Sequence, residues 1–282
     1  MKILVSGGTG FLGSCIIKEL KKTNTVFCLS RTNGDYKIAL ENSIPNFEVS
    51  FELIIHAAGK AHKIPKTDLQ KKEFNDVNVV GTLNLLRGLE KSGIPKEFVF
   101  ISSVSVYGQE NGLNIKEDDA LCAKDPYGVS KIEAEKLVQK WCNNNKVICT
   151  ILRLPLLVGK NPPGNLGAML NAIKSMVLVR DVASFIPIVA PVGGIYNLTD
   201  GFHPSFLELS TAISKQKNIF NLPIFLAKIL AKAGDLLGEK SPINSIKLKK
   251  ITSELTFDDS KARKLLNWNP DQVLDYLKRE SL

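Results

Sequence analysis

The sequence has few cysteines, and their arrangement disfavours two common uses of that residue. The five thiols are odd in number and show neither C-x-x-C nor metal-ligand spacing: Cys15, Cys28, Cys122, Cys142 and Cys149. This pattern argues against a disulfide framework and against a cysteine-bound metal. We therefore expect reduced thiols, no metal site and a cytoplasmic protein.

Long hydrophobic runs are also missing. No uncharged stretch is long enough to span a bilayer, and the first residues lead directly into a strand-like run rather than into a signal peptide. We therefore expect no transmembrane segment. An amphipathic helix is predicted over 222–238, with these polar residues on one face: Lys228, Lys232, Asp235 and Glu239. We interpret it as a packing element, and a weak contact with a membrane surface is the alternative.

Basic residues outnumber acidic ones. The 37 lysines and arginines exceed the 28 aspartates and glutamates, which gives a formal net charge of +9. Such a charge suits an anionic ligand, and a generic solvated surface is the alternative. Because no nucleic-acid recognition motif accompanies the charge, we expect no nucleic-acid partner.

Short apolar runs alternate with amphipathic helical patterns. The predicted strands are Lys2–Ser6, Val26–Leu29, Leu53–His56, Phe98–Ser102, Val147–Leu152 and Ile195–Leu198. The longest helices are predicted at about 68–91 and 126–142, the second capped by Asp125 with Pro126 in its first position. This alternation predicts an α/β fold with a doubly wound, mainly parallel sheet. With 282 residues, 44% of them hydrophobic, the chain has room for a second, smaller lobe.

A glycine-rich turn follows the first predicted strand and precedes the first helix. At Gly7, Gly10 and Gly13 a Cβ would block the tight turn, the approach of a phosphate and the packing of helix on strand. Free N–H groups and the positive end of the helix dipole would face the bound anion. The turn thus predicts a site for the pyrophosphate of a nucleotide.

Two later segments strengthen this prediction. Residues 101–108 read ISSVSVYG and residues 127–131 read YGVSK, with Ser103 lying 24 positions before Tyr127. Together with the glycine turn, they resemble the extended short-chain dehydrogenase/reductases, in the branch of NAD(P)-dependent nucleotide-sugar epimerases, dehydratases and reductases. The resemblance covers most of the chain. It implies a Rossmann-type fold with a smaller C-terminal substrate lobe.

The resemblance also implies which residues contact ligands. The expected cofactor contacts are Gly7, Gly10, Phe11, Leu12, Gly13, Ser30, Arg31, Ala57, Ala58, Gly59, Asn78, Tyr127, Lys131 and Pro155. The expected substrate contacts, to a nucleotide sugar, are Ser103, Ser105 and Asn165. A homodimer joined through the helices at 68–91 and 126–142 is common in the family and is expected here.

Tyr127 and Lys131 are four residues apart on a predicted helix, so their side chains project from the same face. An ammonium near a phenol stabilises the phenolate, and the pair therefore predicts a lowered pKa for Tyr127. A bound oxidised nicotinamide, also positive, would add to this effect. We expect Tyr127 to transfer the proton and Ser103 to hydrogen-bond the substrate oxygen. The resemblance further implies that Lys131 holds the cofactor ribose.

One branch of the family carries an acidic pair that this chain lacks. Dehydratases that remove the sugar 6-hydroxyl resemble Thr-Asp-Glu at the place of Ser103, Val104 and Ser105 here. Without either carboxylate, a 4,6-elimination has no acid and base for its proton transfers. Epimerases and reductases remain.

Arg31 stands at the end of the second predicted strand, where NAD enzymes of this fold carry an acidic residue for the ribose hydroxyls. A guanidinium favours a 2′-phosphate, and Ser30, Thr32 and Asn33 add hydrogen-bonding groups. NADP(H) is therefore the preferred cofactor and NAD(H) the alternative. A merely solvated Arg31 is the other interpretation.

The boundaries of the two parts follow from these patterns. We expect a cofactor-binding domain over 1–159 with a return segment at about 181–199, and a substrate-binding lobe over 160–180 and 200–282. Only 21 residues separate Arg31 from Leu53, too few for a crossover helix and a strand. The lobe is also short between Leu170 and Val179.

These observations predict an NADP(H)-dependent reductase of a 4-keto-6-deoxy nucleotide sugar, serving polysaccharide or deoxysugar biosynthesis. Hydride would pass from the nicotinamide to C4 while Tyr127 donates the proton. The alternative is a NAD-dependent nucleotide-sugar 4-epimerase, which uses the same residues for a transient oxidation. A catalytically silent NADP-binding regulatory protein is disfavoured because Ser103, Tyr127 and Lys131 are all present.

Overall fold

A parallel β-sheet lies at the centre of the computed structural model. The structure describes residues 1–61, 65–160, 175–205, 208, 209, 211, 212, 224–235, 241, 244, 245, 248 and 254–280. The strands are β1 (Lys2–Ser6), β2 (Thr25–Ser30), β3 (Tyr36–Lys37), β4 (Leu53–His56), β5 (Glu97–Ser103), β6 (Gly112–Ile115), β7 (Ile148–Leu154), β8 (Leu156–Val158), β9 (Met176–Leu178), β10 (Gly194–Asn197) and β11 (Leu255–Phe257). Among the described residues, seven strands pair in the order β10-β7-β5-β4-β1-β2-β3, all parallel. The predicted doubly wound sheet is confirmed.

Eight α-helices lie within the described residues, and some of them pack on the two faces of this sheet. They are α1 (Phe11–Leu20), α2 (Asp68–Asn75), α3 (Gly81–Ser92), α4 (Pro126–Asn145), α5 (Val179–Val189), α6 (Ile224–Asp235), α7 (Ser260–Leu266) and α8 (Val273–Arg279). None of the helices in this part of the chain combines the length and the apolar character that crossing a bilayer requires.

Successive residues of β1 pack in two different hydrophobic cores, one on each face of the sheet. Ile3 and Val5 pack with residues of α1 and α5, whereas Leu4 packs on the other face with residues of α3 and α4. This is the period of two that a strand imposes on its side chains. Because both faces are covered, β1 reads as a continuous apolar run, as is typical of parallel sheets.

The helix predicted at 68–91 is interrupted by one wide turn. Helix α2 starts after Thr67, whose side chain accepts a hydrogen bond from the N–H of Gln70. Residues Asp76–Val80 then form a π-helical segment, and α3 continues to Ser92. Such wide turns are rare in proteins, and those that occur often lie near functional sites. Periodicity predicts the extent of the helix but not this turn.

The connection from β2 to β4 contains no helix, as its length predicts. The edge strand β3 has only two residues, and aromatic rings fill the space beside it. Tyr36 and Phe47 have ring centres 5.0 Å apart, and those of Phe47 and Phe51 are 5.3 Å apart, both pairs edge to face. Edge-to-face packing of this kind stabilises the short connection.

Two small sheets lie outside the main one. Strand β8 pairs with β9, and β6 pairs with β11. Strand β9 leads directly into α5, which packs against α1, so the return to the main sheet begins at Val179. Residues 161–174 of the expected substrate lobe lie outside the described residues. The domain boundaries stay a prediction.

A buried ion pair joins α4 to β7. Nη2 of Arg153 lies 2.8 Å from Oε2 of Glu135, and the two side chains are 3% and 1% exposed. The Ser102 hydroxyl also donates to this carboxylate, and the guanidinium also donates to the Tyr107 hydroxyl and to the Glu117 carbonyl oxygen. Buried charges are tolerated only when they are paired and hydrogen-bonded. The network therefore fixes α4 against the carboxyl ends of β5 and β7.

Glu135→Gln removes the charge that compensates Arg153 and keeps the size of the side chain. We expect the free energy of unfolding, measured in urea, to fall by about 3–5 kcal/mol. Glu19→Gln is the matched control, because it breaks the exposed Lys22–Glu19 pair at the C-terminal end of α1. That change should cost less than about 1 kcal/mol. Equal losses of stability in the two variants would contradict the role of the buried pair.

Candidate active site

The carboxyl ends of β1, β2, β4, β5 and β7 border a cavity of about 910 Å³. In doubly wound folds, ligands bind in the crevice at this edge of the sheet. The predicted site residues that line the cavity are Gly7, Gly10, Phe11, Leu12, Gly13, Ser30, Arg31, Ala57, Ala58, Gly59, Ser103, Ser105, Tyr127, Lys131 and Pro155. Their binding roles stay predictions. Asn165 lies outside the described residues.

The glycine turn is too crowded for side chains at two of its positions. Gly7 has a φ of +71°, and a Cβ on it would lie 2.6 Å from the backbone nitrogen of Ala58. A Cβ on Gly13 would collide with the Gly7 carbonyl oxygen. At Gly10 the nearest atom to such a Cβ is that same oxygen, 3.2 Å away, and the residue lines the cavity. A ligand can therefore approach the backbone closely at Gly10.

Helix α1 begins at this turn without a capping side chain. Its N-cap is Gly10, which makes no side-chain hydrogen bond, and the first-turn residues Phe11, Leu12 and Gly13 line the cavity. The N–H groups of a first helical turn have no partner within the helix and carry the positive end of its dipole. This geometry fits the diphosphate of a nicotinamide dinucleotide.

Arg31 lies on the rim of the cavity, just after β2. Its side chain is 57% exposed, and Nη2 lies 2.8 Å from Oε1 of Glu41. Glu41 lines the same cavity. No motif marks Glu41 in the sequence, because it lies in an irregular connection whose path only the folded chain defines. Both signs of charge are therefore present where a cofactor ribose is expected.

Tyr127 lies in the first turn of α4, next to the end of β5. The Asp125 carboxylate caps this turn by accepting a hydrogen bond from the N–H of Gly128 at 3.0 Å. The Ser103 hydroxyl donates to that of Ser105 at 3.1 Å, and Tyr127 lies close enough for Ser103 to act on the pKa of its phenol. Three hydroxyl groups thus converge on the cavity, where they can bind and protonate a substrate oxygen.

Lys131 lies one helical turn beyond Tyr127 and is 5% exposed. Its ammonium donates a hydrogen bond of 2.8 Å to the Ile101 carbonyl and lies 4.7 Å from the centre of the Phe100 ring. Burial lowers the pKa of Lys131 to about 8, although the Glu135 carboxylate acts in the opposite direction. At pH 7 the side chain is therefore still mainly protonated.

The pKa of Tyr127 is raised, so the predicted lowering is wrong. Burial is the main cause; Ser103 lowers the pKa but is outweighed, and the Asp125 carboxylate adds a further rise. The Lys131 ammonium is directed to the Ile101 carbonyl. At neutral pH Tyr127 is accordingly a phenol, which can donate a proton.

Asn78, a predicted cofactor contact, is not among the described residues that line the cavity, and its binding role stays a prediction. It is 2% exposed and belongs to the π-helical segment. Its Oδ1 accepts from the N–H of Lys60 at 2.7 Å, and its Nδ2 donates to the Ser130 hydroxyl at 2.8 Å. Asn78 thus joins the chain after β4 to α4. Lys60, which does line the cavity, carries no recognisable sequence signal.

The chain matches a known protein family and several known proteins. Residues 3–186 match the model of the NAD dependent epimerase/dehydratase family. A UDP-glucose 4-epimerase from Vibrio cholerae is 25% identical over 309 residues, which cover 96% of this chain and 92% of that protein. A GDP-6-deoxy-D-mannose reductase from Pseudomonas aeruginosa is 32% identical over 143 residues, which cover 50% of this chain and 47% of that protein.

Among solved structures, RMD from Pseudomonas aeruginosa complexed with NADPH has the same fold. It is 19% identical with a TM-score of 0.74, and the match covers 98% of this chain and 96% of that one. The family match extends over more than half of the sequence, from β1 into α5. The predicted family is confirmed: the chain belongs to the NAD-dependent epimerase/dehydratase family.

Proposed function

We propose that the protein is an NADP(H)-dependent reductase of a 4-keto-6-deoxy nucleotide sugar, acting in polysaccharide or deoxysugar biosynthesis. The observation that carries this proposal is the Tyr127 phenol, which lines the cavity together with Ser103 and whose pKa is raised by burial, so that it is protonated at neutral pH. Reduction of a ketone needs a proton donor at the developing alkoxide, whereas oxidation of an alcohol needs a base. A protonated Tyr127 favours the first direction.

The residues around Tyr127 have complementary roles in this proposal. When bound, the nicotinamide supplies hydride to the carbonyl carbon at C4. Ser103 and Tyr127 hold the carbonyl oxygen, and Tyr127 gives it the phenolic proton. The Lys131 ammonium would hold the cofactor ribose and would lower the energy of the phenolate that remains.

Arg31 supports NADP(H) over NAD(H), because its guanidinium can form paired hydrogen bonds to a 2′-phosphate. The NADPH bound to the structurally similar RMD is consistent with this choice. Ser103-Val104-Ser105 holds no carboxylate, so the keto sugar would come from a separate dehydration reaction.

The same hypothesis also assigns a substrate-binding lobe and a dimer interface to other parts of the chain. We propose that residues 160–180 and 200–282 form the substrate-binding lobe, with Asn165 as one of its contacts to the nucleotide sugar. We also propose a homodimer, joined through α2, α3 and α4.

A 4-epimerase is the second candidate. Its support is the similarity to the Vibrio cholerae UDP-glucose 4-epimerase, which extends over 96% of this chain. An epimerase would use Tyr127 first as a base and then as an acid. It would return the hydride to the other face of C4 and consume no cofactor.

The Arg31 hypothesis predicts an order of cofactor affinities. Fluorescence titration should give tighter binding of NADPH than of NADH, and Arg31→Asp should reverse the order. Glu41→Gln frees the guanidinium from its ion pair, so it should tighten NADPH binding by about two- to fivefold. Glu52→Gln is a control, because it removes one negative charge at the amino end of β4, away from the cavity. Equal NADPH and NADH affinities in the unmodified protein would rule out this assignment.

Tyr127→Phe keeps the ring and removes only the hydroxyl that transfers the proton. NADPH affinity should stay within about twofold, while kcat falls by about 10²–10⁴-fold. Lys131→Ala should weaken both cofactor binding and turnover. Tyr36→Phe, on the edge strand β3, is the matched control and should leave both unchanged. Near-normal turnover by the Tyr127→Phe variant would show that another group donates the proton.

The decisive experiment is the stoichiometry of the cofactor. With a 4-keto-6-deoxy nucleotide sugar, we expect one NADPH to be oxidised per product, measured as the loss of nicotinamide absorbance. The protein should not interconvert 4-hydroxy epimers without added cofactor. If it carried bound NAD and equilibrated gluco and galacto nucleotide sugars with no net consumption, the epimerase would replace the reductase.

A further inference from the structure

Helix α6 presents its large apolar side chains outward and its small ones inward. Phe225 is 68% exposed and Ile229 50%, whereas Ala227 and Ala231 are 7% and 1% exposed and pack with Leu248. A helix that only packs on its own protein does the reverse, because burying the larger side chains gains more free energy. The predicted role of this helix as a packing element therefore accounts for its alanine face alone.

The exposed apolar side chains form one continuous face. At about 100° per residue, they fall within a sector of about 140°. They are Phe225, Leu226, Ile229 and Leu230, and their exposed fractions lie between 43% and 68%. We call this set the α6 apolar face. None of its residues is among those that line the cavity.

Lysines border the α6 apolar face on one side. Lys228 and Lys232 are both exposed and are four residues apart, so they form one row beside Phe225. Asp235 lies on the same side, and its carboxylate accepts hydrogen bonds from the N–H and the hydroxyl of Ser245. Over residues 222–250 the sequence holds six lysines against two acidic residues.

These charges distinguish between two candidate partners for the α6 apolar face, a second copy of the chain and an anionic lipid surface. A second copy packed on the α6 apolar face would bring its own row of exposed lysines close to Lys228 and Lys232. Like charges at such an interface oppose association. An anionic lipid surface complements the same lysines and accepts the apolar side chains below its headgroups.

We propose that α6 lies in the plane of an anionic lipid surface, with the α6 apolar face inserted at the level of the headgroups and with Lys228 and Lys232 on lipid phosphates. The alanine face remains packed on the protein, so the helix binds without leaving the fold. This interaction does not depend on which reaction the cavity performs.

Sedimentation of the full chain with lipid vesicles tests the proposal. We expect binding to vesicles of phosphatidylcholine with phosphatidylglycerol, weaker binding to phosphatidylcholine alone, and a decrease with added salt. Phe225→Ser with Ile229→Ser should lower the partition coefficient by about tenfold or more. Lys228→Gln with Lys232→Gln should lower it by about tenfold on the anionic vesicles only.

The matched control is Leu69→Ser with Leu265→Ser, which removes two exposed leucines on α2 and α7 and should bind vesicles as the unmodified protein does. In Phe225→Trp, the tryptophan emission should shift to shorter wavelength when anionic vesicles are added. Thermal unfolding and NADPH binding verify that each variant is folded.

Three results would overturn the proposal. The first is no binding of the unmodified protein to anionic vesicles. The second is undiminished binding by both the serine and the glutamine variants. The third is a serine variant that loses self-association in the absence of lipid, which would identify the α6 apolar face as a contact between copies.

Discussion

The buried Glu135–Arg153 pair fixes the helix that carries Tyr127 and Lys131 against the strand that ends at Ser103. Each charge in it is balanced by the other, and the remaining acceptor and donor positions are filled by Ser102, Tyr107 and a backbone carbonyl. Sliding or rotating α4 by one residue would leave both charges unpaired in the interior, at a cost of several kcal/mol. The distance between the Tyr127 and Ser103 hydroxyl groups therefore depends on an ion pair two helical turns away.

The same pair also acts on Lys131. Glu135 lies one turn beyond Lys131, and its carboxylate opposes the desolvation that lowers the pKa of that ammonium. Burial outweighs this support, so the pKa of Lys131 falls to about 8. The site thus contains a lysine that is charged at neutral pH and a tyrosine that is protonated there, which is the combination that donation of a proton to a carbonyl oxygen requires.

The sequence is most informative where local spacing determines structure. The positions of Gly7, Gly10 and Gly13, the strand ending at Ser103 and the four-residue interval from Tyr127 to Lys131 all follow from short-range rules, and the structure brings these residues into one cavity. What the sequence could not reveal depends on distant contacts. Burial reverses the expected direction of the Tyr127 pKa shift, Asn78 turns to Lys60 and Ser130, and the exposed side of α6 depends on what packs on its alanines. Periodicity shows that a helix has two faces but not which one the protein covers.

The contact between Glu41 and Arg31 is one that only the folded chain defines, and it affects which cofactor the cavity favours. The Glu41 carboxylate offers an acceptor to ribose hydroxyls in the cavity where Arg31 offers a donor to a 2′-phosphate, and the two side chains neutralise each other when neither has a ligand. With Arg31 more than half exposed, their ion pair is worth no more than about 1 kcal/mol. A doubly charged phosphate forming paired hydrogen bonds with the guanidinium competes well against that. In the proposed NADP(H) site, the pair would therefore reduce the preference for a phosphorylated ribose without reversing it, because Arg31 would gain more from the phosphate than it loses by leaving Glu41.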